Sequence, residues 1–130
     1  MRPAFDKVGA VVLFVESLHR TKDFYNGVLG LEVHFEDADS VGFKIEGLAF
    51  IALQVDRACE QLQGEATATP AVGATAFLTA FTDGVDALYD DLLGRGVGFF
   101  QKPTDQAWGM RTAYFKDPDG HVWELAQSIG

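Results

Sequence analysis

The chain has 130 residues, of which 48% are hydrophobic and 22% charged, and its formal net charge is −9. That length and apolar share give one domain with a real core and exclude a disordered chain. The acidic balance argues against nucleic acid, whose phosphates attract Lys/Arg clusters; no apolar run reaches the ~18 residues of a membrane span, and MRPAFDKVG lacks the apolar segment of a signal peptide.

Taken in chain order, GAVVLFV (9–15) is a continuous apolar, β-branched run and predicts a buried strand. SLHRTKDFYNGVLG (17–30) follows with Leu18, Phe24, Tyr25, Val28 and Leu29 at helical spacing, Ser17 placed to N-cap and Gly30 to end the helix. LEVHFED (31–37) alternates as a half-buried strand does. VGFKIEG (41–47) and LAFIALQV (48–55) read as two more strands joined at Gly47. From about residue 56 to 72 the composition turns to Ala, Thr, Gln and Gly with Pro70, which reads as a linker holding at most one short helical turn. GATAFLTAF (73–81) then restarts the pattern as a strand, and DGVDALYDDLLGRG (83–96) is a helix with Val85, Leu88, Tyr89, Leu92 and Leu93 inward. VGFFQK, WGMRTAYFK and HVWELAQ are three strands, the last two flanking Asp117-Pro118-Asp119-Gly120 with turn residues in turn positions.

Each half therefore reads β-α-β-β-β. A shift of 64 residues places Tyr25 on Tyr89, Leu29 on Leu93, Gly30 on Gly94, Val33 on Val97, Phe35 on Phe99 and Gly9-Ala10 on Gly73-Ala74. Repeated element order with repeated residues indicates duplication of one supersecondary unit. The expectation is an α+β fold: a single domain over 1–130 with two βαβββ modules in tandem, 7–55 and 73–127, joined by the linker 56–72. Their curved mixed sheets would surround a shared cleft into which both send alternate side chains.

The paired modules, FYNGVLGLEV after the first strand and the ending YFKDPDGHVWEL resemble the vicinal oxygen chelate superfamily, the glyoxalase, bleomycin-resistance and extradiol-dioxygenase group. The resemblance spans roughly residues 7 to 127. It implies the fold but not an activity, since the superfamily includes isomerases, dioxygenases, thiol transferases and metal-free drug-binding proteins. Its enzymes hold one divalent metal on four strand side chains, His, Glu or Gln, two from each module. The matching positions here are Ala10, Ala52 (with Gln54 the nearby alternative on the same face), Phe77 or Ala74, and Glu124. Only Glu124 is a good ligand, and a lone carboxylate does not make a transition-metal site, because catalytic zinc usually keeps three protein ligands. The three histidines, His19, His34 and His121, show no i, i+4 helical or i, i+2 strand pairing. No metal or other cofactor is expected, and Glu124 reads as the vestige of a metal site.

Glu124 then has three readings: a metal ligand, a partner of Arg111, or a direct contact for a cationic or hydrogen-bonding ligand. A four-residue DPDG hairpin would pair Lys116 with His121 and Ala113 with Glu124. That register places Arg111, Ala113 and Phe115 on one face with Val122, Glu124 and Ala126, and turns Trp123 and Leu125 to the helix side. A carboxylate in an apolar cleft needs a partner. Trp108, read as opening a strand, is placed either to stack on a planar ligand or cation or to pack in the core or a dimer contact. Phe14, Phe43, Phe50 and Phe77 are candidates for the cleft, each of which a one-residue shift of register would turn to the other face. The candidate ligand-binding set is Glu124, Arg111, Trp108, Phe77, Phe50, Ala52, Gln54 and Phe115.

No nucleophile constellation or phosphate-binding loop appears. The only cysteine, Cys59, leaves no internal disulfide and sits in the linker without a nearby histidine. The expected function is metal-independent binding of an aromatic or cationic small molecule, of the bleomycin-resistance type, by a cytoplasmic homodimer with no nucleic-acid or membrane partner. The alternatives are a divalent-metal glyoxalase- or dioxygenase-type enzyme with displaced ligands, or an interaction role with the cleft vestigial.

Overall fold

In the computed structural model, which describes residues 3–5, 7–68, 74 and 76–130, the chain divides into two units, residues 1–68 and 69–130. Each holds one four-stranded mixed sheet. In the first, β1 (Ala10–Val15) lies parallel to β4 (Leu48–Gln54), which pairs antiparallel with β3 (Ser40–Ile45), and β3 with β2 (Val33–Glu36), giving the order β1-β4-β3-β2. In the second, β5 (Phe77–Phe81) lies parallel to β8 (Val122–Ser128). β7 (Met110–Lys116) and β6 (Phe99–Asp105) follow antiparallel, in the order β5-β8-β7-β6. The two sheets share one topology.

In the first unit, Ser17 accepts a hydrogen bond from the backbone N–H of Arg20 (3.1 Å) and caps α1 (Leu18–Lys22). The helix widens to a π-helical turn over Asp23–Val28 and ends at Gly30, whose positive φ of 79° suits glycine. This segment drives Tyr25, fully buried, against Phe43 and Phe50 at centroid distances of 5.4 and 5.2 Å. Val41, Ala52 and Val15 complete that core. In the stretch read as a linker, Val55–Gln61 form α2, and residues 69–73 lie outside the described set. Gln54 accepts from the N–H groups of Asp56 and Arg57 and so caps α2.

In the second unit, the strand expected over 73–81 is described as Phe77–Phe81, with residues 73 and 75 outside the described set. α3 (Val85–Gly94) packs on its sheet through Val85, Leu92 and Tyr89; Tyr89 meets Phe99 at 4.6 Å, Phe99 meets Phe115 at 5.3 Å, and Phe115 stacks on Trp123 at 6.3 Å. β6 runs on through Pro103 to Asp105, where a loop was expected. Proline is tolerated there because β6 is an edge strand.

The β7–β8 hairpin corrects the expected register. Lys116 pairs with Val122, Ala113 with Leu125 and Tyr114 with Glu124. The loop is one residue longer than a four-residue turn because the Asp117 side chain organises it. One carboxylate oxygen accepts from the backbone N–H groups of Asp119 (3.0 Å) and His121 (2.8 Å), and the other meets His121 Nδ1 at 2.8 Å. The Asp117 N–H donates to the His121 carbonyl and closes the loop. A one-residue shift turns every β7 side chain to the opposite face.

Candidate functional site

The shift decides what surrounds Glu124. Val122, Glu124 and Ala126 alternate with Trp123 and Leu125 along β8 and point away from α3. Thr79 lies beside Glu124 on β5 and Tyr114 beside it on β7. Glu124 retains 9% of its exposure, and both of its oxygens are engaged: Thr79 Oγ1 donates to Oε1 at 2.9 Å and the Tyr114 hydroxyl donates to Oε2 at 2.5 Å. Gln106 Nε2 donates to Thr112 Oγ1 (2.9 Å) further along the same face. Burial pushes the Tyr114 phenol above its ordinary range, and its hydrogen bond to Glu124 adds to the shift. The hydroxyl therefore stays protonated and remains a donor.

Aromatic rings frame this centre. Phe77 meets Tyr114 edge-on at 5.7 Å, and Phe100 stacks on Tyr114 at 5.9 Å. Phe77, Phe81 and Phe100 are 54%, 80% and 58% exposed. Lys116 sits over the Phe100 ring at 5.5 Å. A recess of about 390 Å³, lined by Phe81, Met110, Ala126 and Ser128 among others, continues along β8 from Glu124.

The residues expected at the site are dispersed. Phe77 and Glu124 share the face. Arg111 lies on the α3 side, where Asp86 takes Nε and Nη2 (2.8 and 2.9 Å) and Asp105 takes Nη1 (2.8 Å), so it is not the partner of Glu124. These bonds raise the Arg111 pKa, and the Arg111 guanidinium holds the Asp86 carboxyl below its usual range. Phe115 is core, 2% exposed against Phe99 and Trp123. Phe50 and Ala52, with Phe43, are buried on the α1 side of their sheet, and Gln54 is spent on capping α2. Trp108 is 65% exposed in the β6–β7 turn, before β7 begins, which removes the core-packing alternative. Thr79, Tyr114, Phe81, Phe100 and Lys116 were not among the residues expected. The strict alternation of Phe77, Thr79 and Phe81 signals the first three strand positions; Tyr114 is found only with the correct hairpin length.

The donor set does not fit a transition metal. Ala10, Ala52, Phe77 and Ala74 offer no ligand atom, and the carboxylate at the fourth position already holds two hydroxyls. Among the described residues no group of three or more His, Cys, Asp or Glu is placed to hold a metal ion. His19 meets the exposed Asp23 and His34 is exposed beside Phe35. His121 is held by Asp117 in the hairpin. Cys59 Sγ donates to the Ala66 carbonyl. No helix among the described residues is long and apolar enough to cross a membrane.

The model of the Glyoxalase/Bleomycin resistance protein/Dioxygenase superfamily matches residues 7–125. The chain belongs to that superfamily. Among superfamily proteins, its fold is similar to the crystal structure of a glyoxalase/bleomycin resistance protein/dioxygenase from Nocardioides (TM-score 0.88, 22% identity, 98% of this chain and 87% of that one). A protein of unknown function from Agrobacterium tumefaciens str. C58 is similar with a TM-score of 0.77 and 28% identity, over 96% of each chain. In sequence, it is 32% identical over 134 residues to the uncharacterized protein YraH of Bacillus subtilis (strain 168), covering 95% of this chain and 99% of the relative.

Proposed function

We propose that this superfamily member binds a small organic molecule without a metal, on the face of the second unit centred on Glu124, and acts by sequestering it. The observation that carries this reading is the buried Glu124 held by two hydroxyls among exposed rings. Exposed apolar surface gathered around a few polar groups is how small-molecule sites are built. Non-ligating residues at the other family metal positions support binding over metal chemistry. The lone cysteine is in keeping with a cytoplasmic location.

A homodimer belongs to the same proposal. β5, FLTAF, is an edge strand without charge or proline, the kind that pairs with another strand unless blunted. Pairing along that edge uses backbone groups and leaves the Glu124 face free. Sedimentation at increasing protein concentration checks it, and a monomer throughout counts against the dimer.

The binding test is titration with a panel of planar aromatic and cationic compounds, read by amide shifts of Phe77, Thr79 and Tyr114. Silence across the panel sinks the reading. Metal analysis of protein purified without chelator is the second arm; a stoichiometric transition metal that Glu124→Gln removes would replace binding with metal chemistry.

A further inference from the structure

On the reading that the Glu124 face binds a small molecule, we infer that its ligand carries a positive charge on a compact apolar head, an alkylated ammonium, rather than a neutral or anionic group. Both oxygens of Glu124 accept a hydrogen bond, and both donors are neutral hydroxyls. Among the described residues no Lys, Arg or His forms an ion pair with it, because Arg111 is taken by Asp86 and Asp105 on the other face. Its hydrogen bonds are satisfied and its charge is not balanced.

The rings supply the second half. Phe77 and Phe81 stand on either side of Thr79 on the same face of β5, roughly 13 Å apart along the strand at four residues' separation. Thr79 is itself exposed and sits directly beside Glu124 in the sheet. A charge seated over Thr79 is therefore about one strand spacing, roughly 5 Å, from the strand that carries the carboxylate. It would lie between the exposed Phe77 and Phe81 rings, and aromatic quadrupoles attract cations. The face already shows this chemistry in Lys116 over Phe100.

Charge then discriminates between ligands of equal shape. A neutral group covering this slot strips water from around Glu124 and returns nothing for its charge, whereas an ammonium compensates that loss. An anion gains only the exposed Lys116 at the far side of the face and meets Glu124 unfavourably. The slot's apolar walls favour methyl groups over a bare, strongly hydrated ammonium.

The experiment titrates the full chain with benzyltrimethylammonium, benzyl alcohol and benzoate, reading the amide shifts of Phe77, Thr79 and Tyr114, at low and high salt. The expected result is roughly tenfold tighter binding of the ammonium than of benzyl alcohol, weaker binding still of benzoate, and a preference that shrinks with salt. Glu124→Gln should abolish the preference for the ammonium over benzyl alcohol. Binding of all three probes at this face without charge preference, or preference for benzoate, overturns the inference and leaves the binding face standing. A preference that survives Glu124→Gln with the fold intact by circular dichroism also overturns it. No shift with any probe overturns the binding face and the inference together. The wild-type comparison decides the matter even where the variant fails to fold.

Discussion

The two units share a topology and differ in what covers the sheet face opposite the first helix. In the first unit that face is apolar. β4 presents Ala49, Ile51 and Leu53, α2 lies against Val12, Phe14 and Leu53 with Ala58 fully buried, and the Phe35 ring lies over Gly42. In the second unit, β8 presents Val122, Glu124 and Ala126, and the face carries a hydroxyl–carboxylate centre with exposed rings. No helix covers it among the described residues. In the first unit α2 and the Phe35 ring cover part of the face and leave an apolar recess of about 370 Å³ lined by Phe35, Gly42, Ala49 and Ile51 among others, while the second unit sets a polar centre among exposed rings. With one topology in both units, the side chains at a few outward strand positions set how polar that face is.

The largest expected effect comes from disturbing the covered face. A Cβ at Gly42 would meet Phe35 ring carbons at 2.1 to 2.9 Å. Gly42→Ala should therefore displace the ring and destabilise the chain by about 3 kcal/mol, as read by urea unfolding. Adding Phe35→Ala should restore part of that loss; no recovery in the double variant would mean that the ring is not what glycine makes room for. Next comes the polar face. Tyr114→Phe removes a donor from a buried carboxylate and should cost about 2 kcal/mol. The cost should fall sharply in a Glu124→Gln background, and full additivity would show that the two groups act independently. Thr79→Val, at an exposed position, should cost about 1 kcal/mol by the same measurement.

The smallest effect is on pH dependence, and it belongs to the hairpin that aims Tyr114. Burial lowers the His121 pKa, but the hydrogen bond its ring donates to Asp117 and the charges of Asp117 and Asp119 outweigh it and leave it above its ordinary value. A raised pKa means that the folded chain binds the proton more tightly than the unfolded one. The stabilisation is complete below the unfolded value near 6.5 and is lost as pH rises through the folded value. Unfolding midpoints should accordingly fall across that window in the wild type and fall less in His121→Asn; identical profiles would exclude His121 as the source.

Much of the fold was legible because it rests on local signals. The continuous run of β1, the helical spacing around Tyr25 and Tyr89, and the glycine and proline punctuation each declare an element, and the 64-residue repeat declares their duplication. Of the residues read as binding a ligand, Glu124 and Phe77 are the two that share the face proposed for binding. Arg111 was misplaced because face assignment across a hairpin depends on loop length, and DPDG alone does not reveal that the Asp117 side chain also captures the backbone of His121. Phe50, Ala52 and Phe115 were misassigned because a strand buried on its helix side reads much like one lining a cleft. Gln54 was spent by a helix whose start lay hidden in a stretch that looked like linker. Tyr114 and Thr79 could not be paired with Glu124 without register, since they lie 10 and 45 residues from it in sequence.

The Asp117 loop has a consequence for how this module can change over time. Surface turns usually accept insertions and deletions cheaply. Here the length from Asp117 to His121 selects which half of β7 faces Glu124 and which faces α3. Deleting one residue would bring Arg111 and Phe115 to the carboxylate and send Tyr114 into the core, replacing the site and spoiling the packing in one step. The turn therefore behaves as a gear tooth between two faces, and lineages that retain this chemistry are expected to vary its composition far more readily than its length.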